Sequence, residues 1–336
     1  MSRRIPALGL AGLGLMLALT GCGQDSPAAE GVEQHAATEL LQVTQVHADT
    51  GMTLLEGPVL DGQGNLFVVD VPAPAGEAKL LKIDLDSKDV SQVHTDGTGA
   101  YSSAQFSPED QRMYLSDIAG GRIISMNADG SDVQVFFEGD VEGRRVSPDD
   151  IAFDKEGNLF VSDFTAFPGA GVEAAQAGRI IRIDGETAKG SVVAENLPST
   201  NGISFNEDYS GLWLSQYAAN RIDLLALDQS GMKAASVQPA IYVNAGVAKV
   251  DSNAVDAAGN IYQMFEHDAR IDVYSKTGQL KAQIRLPDDA QGLESATNIA
   301  IEPGTTQGYA TVSGTSGGYV YTFEALAEGI GQSNGG

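Results

Sequence analysis

Six oxygen-bearing residues occupy one position of an internal repeat: Glu56, Ser102, Asp149, Asn201, Asp251 and Thr297. Each stands five residues before a turn that opens with Asp61, Ser107, Asp154, Asn206, Asp256 or Glu302. Like charges gathered in one place are costly unless a cation sits among them. Hard oxygen ligands of mixed carboxylate and amide type suit Ca²⁺ better than Mg²⁺, which demands tighter octahedral geometry and keeps its waters. Glu56, Asp149, Asn201 and Asp251 are therefore the expected ligands of one catalytic Ca²⁺, with other divalent cations admissible. Ser102 and Thr297 are expected behind them or bridged to the ion by water, and Asp150, beside Asp149, joins that supporting group. With one Cys and four His, the chain is poor in the ligands that zinc or copper favours. No Ser-His-Asp arrangement is readable, and His94 and His267 read as surface or packing residues.

The turns that follow these positions repeat visibly. Asp61-Gly-Gln-Gly-Asn-Leu-Phe67 recurs as Asp154-Lys-Glu-Gly-Asn-Leu-Phe160 and as Asp256-Ala-Ala-Gly-Asn-Ile-Tyr262, with weaker copies ending at Tyr114, Trp213 and Tyr309. The six aromatic anchors lie 46 to 53 residues apart. Each copy reads as a turn between two strands. Four strand signals per repeat, six times, predict an all-β fold, a six-bladed β-propeller with four-stranded blades. The last repeat lacks a fourth strand after residues 319–323, and a spare strand signal at 40–46 precedes the first repeat. Pairing the two would close the ring through an N-terminal strand and hide two open edges.

If the inner strands begin at the channel mouth, the second strands return to it. Loops starting at Asp70, Asp117, Asp163, Gln216, Phe265 and Ser313 then share that face. The longest, 164–177, reads as a lid or pocket wall. Tyr101, Phe164, Phe167, Tyr217 and Phe265 are the candidates for an apolar pocket around the ion.

The chain has 336 residues, 42% hydrophobic and 19% charged, enough to bury a core and unlike a disordered protein. Its 45 acidic against 20 basic residues give a net charge of −25, which repels phosphate backbones and argues against nucleic acid. A single cysteine excludes an intrachain disulfide. That cysteine closes Leu19-Thr20-Gly21-Cys22, after Arg3, Arg4 and an apolar run over 5–19 too short for a comfortable spanning helix. The pattern resembles a bacterial lipobox. Residues 1–21 are then a signal peptide, Cys22 the lipidated residue, 22–38 a flexible tether, 39–328 the propeller and 329–336 a flexible tail. Gly23 after the cysteine favours the periplasmic face of the outer membrane, with membrane contact only through the lipid and a monomer as the expected state.

Leu55-Glu-Gly-Pro-Val-Leu-Asp61, Pro148-Asp-Asp-Ile-Ala-Phe-Asp154, Thr200-Asn-Gly-Ile-Ser-Phe-Asn206 and Asp251-Ser-Asn-Ala-Val-Asp256 resemble the blade-opening motifs of the regucalcin/gluconolactonase superfamily, which includes luciferin-regenerating enzyme. Leu212-Trp-Leu-Ser-Gln-Tyr-Ala-Ala-Asn-Arg221 and the Asp149-Asp150 pair are most similar to the drug-responsive lactonases. The resemblance implies the same four ligands and adds Ser252 as a further oxygen donor. It also implies a calcium-dependent lactonase, with Asp251, or alternatively Asp149, taking a proton from the attacking water. Two departures stand out. Ala254 occupies the place where some relatives put an acid for a second calcium, and a paraoxonase-type His pair has no counterpart. Phosphotriester hydrolysis at the same ion, or a non-catalytic periplasmic binding propeller with structural calcium, are the competing functions. The composition of the 164–177 loop favours a hydrophobic small-molecule lactone or ester as substrate.

Overall fold

Asp61 shows why the turn repeats. Its Oδ1 accepts the backbone N–H of Gln63 at 2.8 Å and of Asn65 at 3.1 Å, and its Oδ2 accepts the Asn65 amide at 2.7 Å. Asp154 with Asn158 and Asp256 with Asn260 make the same closure. One carboxylate thus satisfies the turn's backbone donors while the asparagine locks its second oxygen. The aromatic that follows turns inward: Phe67, Tyr114, Phe160, Trp213, Tyr262 and Tyr309 are all buried.

The computed structural model describes residues 31–335. The signal peptide, Cys22 and the first part of the expected tether lie outside them. Among the described residues the protein is all-β apart from a five-residue helix, Gly171–Ala175, and a 3₁₀ turn, Gly331–Ser333. Four-stranded antiparallel sheets begin at Leu55–Leu60, Tyr101–Phe106, Pro148–Phe153 and Thr200–Phe205. Two further sets begin at Lys249–Val255 and Leu293–Ile301 and are joined into one larger sheet by a bridge between Phe265 and Ala296. The first strand of each set packs against the first strand of the next, and Leu293–Ile301 packs against Leu55–Leu60. This is a propeller-like arrangement, with apolar layers between successive sheets. Phe67 and Leu80 pack with Tyr101 and Met113, Tyr114 and Ile123 with Ile151 and Val161, and Phe160 with Phe205.

The set starting at Leu293–Ile301 supplies three strands of its own. Thr38–Thr44 lies antiparallel on its outer strand, Gly317–Glu324, where the spare strand signal pointed.

Two boundaries differ from the sequence expectation. Glu33–Ala36, placed in the flexible tether, pairs in parallel with Leu280–Arg285, and Ala37 behind it is buried. The end of the chain, expected as a loose tail from 329, is tied into the fold. Asn334 Oδ1 accepts the Leu60 N–H and its Nδ2 donates to the Leu60 carbonyl, both at 2.8 Å. Gln105 Nε2 donates to the Gly335 carbonyl at 3.1 Å, and the Ser333 hydroxyl donates to the Val255 carbonyl. A Ser/Asn/Gly-rich composition reads as disorder, yet these short polar side chains also satisfy exposed strand ends.

Candidate active site

Every first strand carries a break in register at the position singled out above. The shifts fall between Glu56 and Val59, Tyr101 and Ser103, Pro148 and Ile151, Thr200 and Ile203, Val250 and Asn253, and Ala296 and Ile299. A bulge sets two consecutive residues against one on the partner strand and re-aims a side chain. Asp149 with Asp150, Asp251 with Ser252, and Thr297 with Asn298 occupy these bulges, and all six are buried. Glycine fills the second place in two others. At Gly57, with φ +51°, an added Cβ would lie 2.6 Å from the Ala104 nitrogen; at Gly202 it would lie 2.5 Å from the Ser252 Cα. Only a residue without a side chain lets the neighbouring first strands come this close.

The acids converge. Glu56 is pushed well above the usual carboxylate range by burial, then by Asp251, Asp150 and Asp149, against a hydrogen bond from Asn298. Asp251 is raised by burial, then by Glu266, Asp149 and Asp150, with Asn201 hydrogen-bonding in the opposite sense. Burial raises Asp150 first, Asp149 second. Asp149 is pushed up to about 7 by burial, held back by Ser102 and raised further by Glu266. Among the described residues no lysine, arginine or histidine is a leading influence on any of the four. Glu56 Oε2 and Asp150 Oδ2 are buried without a hydrogen-bond partner. Buried oxygens of this kind point to a missing positive charge or water.

Ser102 and Thr297 stitch neighbouring first strands together. The Ser102 hydroxyl donates to the Asp149 carbonyl at 3.3 Å, and the Thr297 hydroxyl donates to the Leu55 carbonyl at 2.5 Å. They support the acids rather than joining them.

Sequence reasoning missed two residues. Asn298, one place after Thr297, donates from Nδ2 to Asp150 Oδ1 at 3.2 Å across the middle of the fold. The bulge that turns it inward left no sequence mark beyond the adjacent Thr297. Glu266 follows Phe265 at the end of a second strand and receives the Tyr217 hydroxyl on Oε2 at 2.6 Å. It is the added charge felt by both Asp149 and Asp251.

The aromatic candidates divide. Phe164 meets Phe167 edge-on at 5.2 Å and Tyr217 edge-on at 5.3 Å. Phe167 is 41% exposed, in the long loop that carries the short helix. Tyr101 and Phe265 are corrected to packing residues. Tyr101 is fully buried in the apolar layer, its hydroxyl donating to Asp96 Oδ2 at 2.6 Å. Phe265 is enclosed by Ala245, Ala248 and Val250, with the Arg270 guanidinium 3.9 Å from its ring centre. An aromatic at the mouth and one packed just beneath it have the same spacing in the sequence. His94 is half-buried beside Tyr101 and His267 is exposed.

The donor set fits a hard divalent cation: anionic and amide oxygens, several buried, two unsatisfied. Among the described residues no three His, Cys, Asp or Glu side chains form a cage for an ion by themselves. The neutral oxygens of Asn201, Ser252 and Asn298 would have to complete one.

The class these features define is a propeller-like β fold with buried acids gathered on the bulges of its first strands. Residues 54–301 match the SMP-30/Gluconolactonase/LRE-like region, and the chain belongs to that family. It is 26% identical over 283 residues to Lactonase drp35 of Staphylococcus saprophyticus, covering 82% of this chain and 84% of that relative. Against Lactonase drp35 of Staphylococcus haemolyticus the identity is 27% over 300 residues, covering 84% and 86%. The fold is similar to that of a calcium-binding regucalcin from Agrobacterium tumefaciens, with a TM-score of 0.68, 15% identity and coverage of 90% and 99%. A gluconolactonase from Xanthomonas campestris superposes with a TM-score of 0.67 at 19% identity, covering 86% and 97%.

Proposed function

We propose that the protein is a calcium-dependent lactonase whose site lies at the centre of a six-bladed propeller, its ring closed by the N-terminal strand. One observation carries the reading: four buried carboxylates from three non-adjacent blades face one another, and among the described residues none of them is ion-paired to a lysine, arginine or histidine. Glu56, Asp149, Asn201 and Asp251 would hold the ion, with Ser252 contributing a further oxygen. Calcium bound there would polarise a lactone carbonyl and stabilise the negative charge that develops on its oxygen. Asp251 takes the proton from the attacking water, with Asp149 as the alternative base; both are buried carboxylates of the ligand set itself. Asn298 and the stitching hydroxyls of Ser102 and Thr297 hold these acids in place. Phe164, Phe167 and Tyr217 shield one side of the mouth from water. We further propose that the chain acts as a monomer tethered in the bacterial envelope by lipid on Cys22.

The test is hydrolysis of aromatic, aliphatic and sugar lactones with calcium, after chelation, and with Glu56→Gln and Asp251→Asn. Turnover that needs calcium and disappears in both variants supports the reading. If calcium raises the melting temperature while no lactone turns over, the site is structural and a binding role takes its place. Turnover of phosphotriesters alone would assign the same site to the other hydrolytic chemistry.

A further inference from the structure

Phe164, Tyr217 and Glu266 hold equivalent places in three consecutive sheets, each one residue beyond the corresponding loop start at Asp163, Gln216 or Phe265. Their side chains touch in sequence: Phe164 edge-on to Tyr217 at 5.3 Å, and the Tyr217 hydroxyl to Glu266 Oε2 at 2.6 Å. The same three sheets carry Asp149, Asn201 and Asp251. The arc therefore stands over one half of the acid cluster, apolar at one end and carrying Glu266 at the other, where Lys249 lies opposite Glu266 in the strand pair with its Nζ 5.9 Å from the Tyr217 ring centre. Burial and the bond to Glu266 hold the Tyr217 hydroxyl firmly protonated, so it remains a donor. The Glu266 side chain is 31% exposed and carries His267 Nε2 3.5 Å from its other oxygen. It therefore reaches solvent, while Asp149 and Asp251, at 8% and 5% exposed, do not.

We propose that Glu266, aimed by Tyr217, is a specificity-determining residue that admits a neutral lactone and expels its carboxylate product. This rests on the hydrolytic reading above. Hydrolysis breaks the ring acyl C–O bond and forms a new one to the oxygen of water. One water proton ends on the freed alcohol oxygen, and the resulting acid releases the other to solvent. A neutral substrate thus becomes an anion whose new carboxylate can bind directly to a cation held in the ligand site. A carboxylate at the mouth acts on the product and leaves the substrate untouched. Tyr217 acts through Glu266 and is a positioning residue.

The experiment takes the best neutral lactone from the panel above and its own hydroxy acid, with calcium present. Product inhibition constants are measured for the full chain and for Glu266→Gln, Tyr217→Phe and the exposed outer-strand control Glu195→Gln. Glu266→Gln should tighten product inhibition by about 10-fold while KM for the lactone stays within about twofold. Tyr217→Phe keeps the ring against Phe164 and should tighten inhibition by about threefold, with Glu195→Gln unchanged. Direct titration of the hydroxy acid into each protein should follow the same order. Unchanged inhibition in both variants of a protein that does turn over lactones overturns this proposal alone. Absence of lactone turnover in the unmodified chain overturns the hydrolytic reading and the proposal with it.

Discussion

Two groups of buried acids in this molecule are treated in opposite ways. On the second and third strands, three buried acids have arginine partners. Asp163 pairs with Arg179 Nε at 2.6 Å, Asp117 with Arg122 Nε at 2.8 Å, and Asp223 with Arg221 Nε at 2.7 Å. Asp70 instead takes polar hydrogen bonds, from the Thr53 hydroxyl at 3.1 Å and the Leu54 N–H at 3.1 Å, beside His47 Nε2 at 2.6 Å. At the centre, Glu56, Asp149, Asp150 and Asp251 are also buried but receive only neutral hydrogen bonds and the charges of one another and of Glu266. Burial alone therefore does not mark a functional acid. What separates the groups is where the compensating charge comes from: the chain supplies it outside and leaves it to a bound cation inside.

That contrast can be broken or sharpened by experiment. Asp251→Asn should lower kcat/KM by roughly 10²–10⁴-fold. In calcium-free protein the same change should raise the melting temperature, because it removes one of the mutually repelling charges. Arg179→Ala should do the reverse. It leaves Asp163, buried at 1% exposure, with only the more exposed Arg144 as a cation, and should cost about 1.5–3 kcal/mol in denaturant unfolding while leaving the calcium requirement intact. If Arg179→Ala proves mild and Asp251→Asn harsh in calcium-free protein, the assignment of the two groups is inverted.

Stability against pH gives the next test. Asp149 is raised to about 7 in the folded state, against an ordinary carboxylate value of about 3.9 when unfolded. The folded state then holds a proton that the unfolded chain has given up. The resulting stabilisation is full below about pH 3.9 and is lost as pH rises through about 7. Calcium-free protein should therefore melt at progressively lower temperature across that window, and added calcium should protect most at its upper end. A flat calcium-free profile from pH 4 to 8, measured by calorimetry, would remove the repelling cluster from consideration. The smallest effect belongs to a third kind of acid, one that caps backbone. Asp61→Ala loses the turn closure and should cost about 1 kcal/mol without altering turnover.

Much of this was legible in the chain. The Asp-x-x-Gly-Asn turns, the buried aromatic after each, and the four-stranded sheets followed from local chemistry, because a turn acid and a strand signal depend only on near neighbours. The six oxygen positions followed from registering those turns against one another. The bulges did not. A break in strand pairing depends on the partner strand, so neither the inward turn of Asn298 nor the pairing of Asp150 with it had a sequence signature. Tyr101 and Phe164 illustrate the same limit. Both are aromatics near the mouth in sequence, and only packing sent one into the apolar layer and the other to the rim.

The sequence by itself determined the repeat, the all-β class, the ligand-type residues and the family, since each rests on residue type and spacing within one strand pair. Tertiary structure alone decided which acids meet without a cation and that Glu266 joins them. It also decided that both ends of the described chain are bound into the fold. Those outcomes rest on charges and hydrogen bonds between residues as far apart in the chain as Asp150 and Asn298. Electrostatic energy depends on distance in space, and the order of residues along the chain does not specify that distance.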